Sequence, residues 1–469
     1  MNRLTAAQVA ELAGAQLIGD PAALVGPSVV IDSRRAEAGA LFVALPGERV
    51  DGHDFAATAV DRGAAAVLVT RALGLDVPQL IVPDALAGLT ALAAGLVSRA
   101  RAHGLKVVGI TGSSGKTSTK DLLAAVLGAS GATVAPAGSF NNEVGVPLTA
   151  AGVDDGTRYL ISEMGARAQG DISTLCAITP PDVGVVINVG HAHLGEFGSV
   201  AGIAQAKGEL VESLAADGWA VLNGEDPNVA VMASRTKARV ASFAVDGPPG
   251  SGDLRVWAER IEADPLQRHS FLLCTDAGRA PVGLRVAGAH QVGNALAAAA
   301  AGLALGLRLP GIAAALSAAE PASRWRMELT ERADGLLVVN DAYNANPDSM
   351  AAALRSLAAM RRGSGRLIAV LGDMLELGEA ARGEHRKVGE LAGSLGIDRV
   401  LAVGEFAEAI AEGARQRGSA AEVVADRTAA VTALNTLVLP SDVVLVKASR
   451  GLALESVAEQ LLSEGENRA

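Results

Sequence analysis

The chain has 469 residues, of which half are hydrophobic, 19% charged and 3% aromatic, and its formal charge is -11 at pH 7. Single hydrophobic cores stop growing well short of this length, so about three domains are expected. The composition excludes a disordered chain and an aromatic-rich nucleic-acid platform, and the acidic balance disfavours any partner held by bulk attraction to a phosphate backbone. No nucleic-acid partner is therefore expected, and an anionic ligand must be captured locally.

Cys176 and Cys274 stand far apart in apolar runs and read as buried reduced thiols. Glu11 interrupts the N-terminal stretch where a signal peptide needs an apolar run. The longest apolar runs, near 85–97 and 295–307, are roughly 13 residues and too short to span a bilayer. The expectation is a soluble, cytoplasmic monomer without membrane insertion.

Residues 1–84 hold short strand-like runs at 41–45, 65–70 and 80–82, which predict a small N-terminal α/β domain closing at Pro83-Asp84. From 85 to 321 the pattern is strand, glycine-bearing loop and helix, repeated through 106–110, 159–162 and 183–189; this predicts a central P-loop domain on a parallel sheet. Alternating runs between about 237 and 290 predict antiparallel additions to that sheet, and an Ala-rich helix follows from Asn294. Strand and helix alternation restarts after Pro321, with strands at 336–339, 367–371, 400–403 and 443–446. That predicts a C-terminal Rossmann-like domain over 322–469. The fold class is α/β throughout.

Thr111-Gly112-Ser113-Ser114-Gly115-Lys116-Thr117 lies between a buried strand and a helix, so backbone N–H groups and the helix dipole converge on one anion site. A triphosphate fits there, with Lys116 as point charge for the β/γ-phosphates and the Thr117 hydroxyl placed to ligate Mg²⁺. The strict GxxxxGK[ST] form is not met, because Ile110 stands five before Gly115. Glu163, His191 and His193 follow neighbouring strands, at the carboxyl ends where ligands of open parallel sheets bind. A carboxylate and an imidazole there suit a second divalent ion, with His193 the preferred histidine. For Glu163 the competing reading is a surface carboxylate. Lysine occurs seven times only, at 106, 116, 120, 207, 237, 387 and 447. Lys207 sits in a helical run, where the competing reading is a surface lysine paired with Glu209 or Glu212.

Taken together, these residues resemble the Mur ligase superfamily, the ATP-dependent amide-forming enzymes of peptidoglycan precursor synthesis, almost from end to end. The carrying segments are DSR at Asp32 to Arg34, LFVALPGERVDGHDF, TGSSGKTSTKD, NNEVGVPLT from Asn141, EMGARAQGDI from Glu163, NVGHAHLGEFGS, AQAKGEL around Lys207, AGAHQVGNALAA, NDAYNANPDSM, LGDMLELG and VKASRG. TGSSGKT is shared across the superfamily, whereas AYNANPDSM separates the branch that adds D-alanyl-D-alanine to UDP-N-acetylmuramoyl-tripeptide. The resemblance implies ATP and two Mg²⁺ ions, an acyl-phosphate intermediate, and carbamylation of Lys207 into a metal ligand beside Thr117, Glu163 and His193. Lys116, Lys207, His193 and Arg326 are then the catalytic residues.

The resemblance also places His290 and Asn294 near the ATP base, Arg326 near the phosphates and Asp341 near the ribose. Asn294 reads equally as a helix N-cap and Arg326 as a surface arginine. Ser33 and Arg34 are expected at the uridine end of the acceptor, and Asn344, Asn346, Ser449 and Arg450 at the dipeptide. The family shows Gly where Ala448 stands. Asp373, Glu376 and His385 belong to a family motif and are read as structural. Two alternatives stay open on the sequence: another amide ligase, either the third-residue-adding Mur enzyme or a folylpolyglutamate synthase, and a non-catalytic nucleotide switch or scaffold of the cell-wall machinery.

Overall fold

The computed structural model describes residues 1–47, 50–190 and 194–466. Buried parallel strands read as unbroken apolar runs because both faces are covered by helices. Val183–Val186, Leu367–Gly372 and Val443–Lys447 are buried at every position for that reason.

The first sheet has five strands in the order Gln16–Ile18, Gln79–Ile81, Ala66–Val69, Leu41–Val43 and Val29–Val30. All its pairs are parallel except the first. A two-stranded ribbon, Leu4–Thr5 with Leu24–Val25, stands beside it.

Nine strands form the second sheet, running Gly278–Ala287, Arg268–Thr275, Leu254–Ala263, Arg239–Ala244, Trp219–Asn223, Val183–Val186, Lys106–Thr111, Tyr159–Glu163 and Thr133–Val134. The antiparallel additions expected between 237 and 290 are the three strands from Leu254 to Ala287, whereas Arg239–Ala244 pairs parallel on both sides. Lys106–Thr111 lies between Tyr159–Glu163 and Val183–Val186, with Glu163 opposite Ile110 and Val186 opposite Thr111. Three strand ends therefore open side by side at one edge.

The third sheet runs Glu328–Glu331, Leu337–Asn340, Val443–Lys447, Leu367–Gly372, Arg399–Val403 and Ala420–Val424, parallel but for its first, antiparallel edge. Leucine, valine and alanine side chains cover both of its faces.

Helix Ala85–Ala102, capped by Asp84 through a 2.8 Å bond from the Ala87 N–H, joins the first sheet to one face of the second in a single core. Helices Lys116–Gly128 and His290–Ala304 cover the other face. The second of these begins at His290, four residues before the expected start, and its run Ala295 to Ala301 is almost wholly buried. Methyl side chains let its axis come close to the sheet and to Lys116–Gly128. No helix among the described residues is long and apolar enough to cross a membrane.

Candidate active site

The loop Gly112–Gly115 joins strand Lys106–Thr111 to helix Lys116–Gly128. Gly115 turns the chain at φ +80, and a side chain there would come within 2.6 Å of Asn294 Oδ1. The first-turn N–H groups of the helix have no partner within it and point toward the loop's concavity. Asn188, the second residue after strand Val183–Val186, closes the other side. Its Oδ1 accepts from the N–H groups of Ser113 at 2.9 Å and Ser114 at 3.0 Å. Lys116 Nζ donates to Gly112 O at 2.7 Å, so its ammonium folds back over the loop. Burial and the Arg326 cation lower the Lys116 pKa, while Glu163 acts against them.

Around this loop lies a cleft of about 640 Å³ between the second and third sheets. It falls within the range of roughly 300–1,000 Å³ usual for small-molecule sites. Lys116, Thr117, Glu163, His290, Asn294, Arg326 and Asp341 line it, as do Asn344, Asn346, Ser449 and Arg450.

Glu163 is not a surface carboxylate. It is 1% exposed; Oε1 accepts from Asn141 Nδ2 at 2.9 Å, and Oε2 is buried without a hydrogen-bond partner. Thr117 is buried, with its hydroxyl 2.8 Å from that of Ser139. The Ser139 hydroxyl also accepts from an Arg326 guanidinium nitrogen at 2.8 Å. Arg326 is only partly exposed: Nε is buried without a partner and the guanidinium lies 4.2 Å from the centre of the Tyr343 ring.

Lys207 is 3% exposed, and both partners of its surface reading are engaged elsewhere. Glu209 accepts from the N–H groups of Gly170 and Ser173, and Glu212 pairs with Arg235. No carboxylate among the described residues pairs with the Lys207 amine. Burial first, then repulsion from Lys116, pulls its pKa well below the ordinary lysine value. His193, with His191, lies outside the described residues.

Several of the expected residues are also held by bonds within the protein. Asn294 is the fifth residue of its helix and no N-cap. Its amide is held inside, accepting from Thr119 Oγ1 at 3.2 Å and donating to Gln291 Oε1 at 2.9 Å. Asn346 is the N-cap of Pro347–Ala359, accepting from Ser349 N at 2.8 Å. It also donates to Ser113 O at 3.4 Å, which ties the third unit to the phosphate loop. The Asp341 carboxylate accepts from Met327 N at 3.0 Å and from Lys447 Nζ at 2.6 Å. The Ser449 hydroxyl accepts from Leu375 N at 3.0 Å, and Arg450 pairs with Glu455.

Ser33 and Arg34 stand apart from the cleft in a short turn of the first unit, where Arg34 pairs with its own capping residue Asp32. The Ala448 methyl packs against Gly372, where any side chain would approach it to 2.7 Å. Asp373 accepts from the N–H groups of Glu405 and Phe406, and His385 accepts from Met374 N at 2.8 Å.

The sequence matches the Mur ligases in three consecutive stretches: "Mur ligase family, catalytic domain" over 28–109, "Mur ligase middle domain" over 110–302 and "Mur ligase, glutamate ligase domain" over 325–450. It is 46% identical to the UDP-N-acetylmuramoyl-tripeptide--D-alanyl-D-alanine ligase of Mycobacterium tuberculosis, over 99% of this chain and 98% of that one. The chain belongs to the Mur ligase family. A crystal structure of MurF from Acinetobacter baumannii superposes with a TM-score of 0.86 at 34% identity, covering 99% of both chains. MurF ligase from Thermotoga maritima, solved in complex with ADP, superposes at 0.78 with 30% identity over 94% of this chain and 98% of that one.

Sequence reasoning alone passed over several residues that this Mur ligase brings to the cleft. Asn188 opens NVGHAHLG, and its place just beyond a strand end was a usable signal. Lys447 carried one too, as one of seven lysines. Tyr343 lay within NDAYNANPDSM, whereas Ser139 carried none, since only the fold brings its hydroxyl to Thr117 and Arg326.

Proposed function

We propose that this Mur ligase joins D-alanyl-D-alanine to UDP-N-acetylmuramoyl-tripeptide with conversion of ATP to ADP and phosphate, giving the UDP-MurNAc-pentapeptide precursor of peptidoglycan. The reading is carried by full-length likeness to a ligase of that name, 46% identical over 99% of this chain, on a site whose cationic and acidic groups meet in one cleft.

The chemical problem is to bring the acceptor's terminal carboxylate against the γ-phosphate. Two unit negative charges at about 4 Å repel by roughly 4 kcal/mol at an effective dielectric of 20. Lys116 and Arg326 set positive charge there before the reactants arrive, and the helix N-terminus adds its dipole. The carboxylate oxygen attacks the γ-phosphorus and ADP leaves, giving an acyl phosphate. The dipeptide's neutral amine then attacks the acyl carbon and forms the C–N bond; the C–O bond breaks with its electron pair going to the departing phosphate, and the nitrogen gives up a proton to phosphate or solvent. Side chains do little covalent work; they position and stabilise charge.

Thr117, Glu163 and a carbamylated Lys207 are the groups that would hold two Mg²⁺ ions, with His193 in the same set. The buried, unpartnered Oε2 of Glu163 fits that use, since a carboxylate oxygen is left without a partner there. Bound Mg²⁺ supplies charge neutralisation between the reacting anions. Among the described residues no three His, Cys, Asp or Glu side chains gather as a ready cation cage. A carbamate on Lys207 supplies the further anionic ligand. It forms from a neutral amine and CO₂ with loss of a proton, and the burial of Lys207 beside the Lys116 cation favours the neutral amine.

In the same reading Asp341 serves the ribose, and His290 and Asn294 border the base. Ser33 and Arg34 take the uridine end, while Asn344, Asn346, Ser449 and Arg450 face the dipeptide. The substrate domain is 1–84, the ATP domain 85–321 and the ligase domain 322–469. The protein works in the cytoplasm as a monomer.

Mass spectrometry of the product made from UDP-MurNAc-tripeptide, D-alanyl-D-alanine and ATP tests the proposal. The expected product is the pentapeptide, formed only with all three present. ATP turnover independent of both acceptor and dipeptide would refute it.

A further inference from the structure

Arg326 sits between two residues in the left-handed region, Trp325 at φ +59 and Met327 at φ +50. Side chains other than glycine rarely adopt that backbone, and it persists only where the surroundings over-determine it. The surroundings here can be traced. Trp325 N donates to Glu328 Oε2 at 3.0 Å, and Tyr343 N donates to Trp325 O at 3.1 Å. Met327 N donates to Asp341 Oδ1 at 3.0 Å.

Behind Asp341 stands Lys447, which is 2% exposed. It ends strand Val443–Lys447, flanked on both sides within the third sheet by Leu337–Asn340 and Leu367–Gly372. Its Nζ donates to Asp341 Oδ2 at 2.6 Å and to Asn344 O at 3.0 Å. A continuous connection thus runs from the middle of the third sheet through Lys447 and Asp341 to the backbone of the Trp325–Met327 turn. From there the Arg326 side chain crosses to Ser139, whose hydroxyl is shared with Thr117 of the phosphate loop.

We propose that Lys447 is a positioning residue for phosphoryl transfer: acting through Asp341 and the turn around Arg326, it fixes the direction in which that guanidinium enters the nucleotide cleft. The inference rests on the reading above that Arg326 faces the phosphates. A lysine suits the place because a single compact cation must satisfy one carboxylate oxygen and one carbonyl from a buried strand end, whereas arginine presents a planar fork of five donors. Charge on Lys447 also keeps Asp341 from being a buried carboxylate with one orphaned oxygen.

A double-mutant cycle in the full-length enzyme tests this, reading phosphate release at saturating ATP, UDP-MurNAc-tripeptide and D-alanyl-D-alanine. Arg326→Met is expected to slow turnover about 100-fold and Lys447→Met about 10- to 100-fold, while the double variant is no more than about 3-fold slower than Arg326→Met alone. A lysine that only stabilised the fold would act equally in either background, so losses that multiply would overturn the inference and leave the role of Arg326 standing. Parent-like turnover of Lys447→Met would overturn it as well. Parent-like turnover of Arg326→Met would instead remove the phosphate reading itself, and the inference with it. If Lys447→Met fails to fold, Lys447→Gln, which keeps a donor for Asn344 O and removes the cation, takes its place in the same cycle, read by the same criterion.

Discussion

Replacing Lys116 by methionine isolates the charge that the phosphate cradle is built around. The side chain keeps its length and apolar stem, and only the ammonium, with its 2.7 Å bond to Gly112 O, is lost. An ammonium against a phosphate oxygen at about 4 Å is worth roughly 4 kcal/mol at an effective dielectric of 20, which corresponds to about three decades of rate. Part of that attraction already exists when ATP binds, so it appears in KM. The remainder falls on turnover, and kcat is expected to drop about 100- to 1000-fold. Stability should move little, because desolvation already pushes the ammonium's pKa down and Arg326 acts in the same direction. Removing a desolvated charge offsets the lost hydrogen bond. Lys120, on the same helix, provides the contrast. It is buried, donates to Pro136 O at 2.9 Å, pairs with Asp121 and does not line the cleft. Lys120→Met should lower stability by about 1–3 kcal/mol while kcat stays within about 3-fold of the parent. Phosphate release with all three substrates, read alongside thermal melts, checks both. Lys116→Met within about 5-fold of the parent, or Lys120→Met slowed as strongly, would refute the reasoning.

Lys207→Ala should be inactive and partly rescued by formate or acetate, which return a small carboxylate to the site; Lys207→Arg should not be rescued, and equal activity of the parent, Lys207→Ala and Lys207→Arg would remove the carbamate. Ser139→Ala deletes the hydroxyl shared by Thr117 and Arg326, so KM for ATP should rise about 3- to 10-fold with a stability loss near 1 kcal/mol, checked by steady-state kinetics and melts. Asp51 caps the turn Gly52–Phe55, and its carboxyl is lowered from 3.8 to about 2 by bonds from the His53 backbone and ring. A depressed carboxylate pKa contributes stability that is complete above the unfolded value and is lost as pH falls through the folded one. Asp51→Asn should therefore flatten the fall in Tm between about pH 4 and pH 2 and leave the shape above pH 5 unchanged; an unaltered acid slope would contradict the assignment.

Much of the molecule was legible without coordinates because its information is local. The apolar runs at 183–186, 367–371 and 443–446 can hide both faces only within a covered sheet, and they do; the expected strand to 189 stops at Val186, and Asn188 beyond it turns to the phosphate loop. The edge strands Gln16–Ile18, Glu328–Glu331 and Ala420–Val424 escaped notice because they are short or largely polar and half-exposed, so their pattern is indistinct. Asn294 could not be separated from a cap on sequence, since the helix start is set by where the chain leaves strand Gly278–Ala287 rather than by the asparagine.

The amino-acid order on its own determined the strand, glycine loop and helix that make an anion cradle, and it put Glu163 at a neighbouring strand end. Those features depend on contacts between residues close along the chain and on the handed geometry of parallel sheets. Only the tertiary structure decided that Lys207 is buried with no carboxylate partner among the described residues, because that depends on Glu209 turning to Gly170 and Glu212 to Arg235. It alone decided that Arg326, Tyr343 and Lys447 line the same cleft as a loop more than 200 residues earlier in the chain. Such meetings arise from packing one folded unit against another, a free energy summed over whole surfaces that no short stretch of sequence carries.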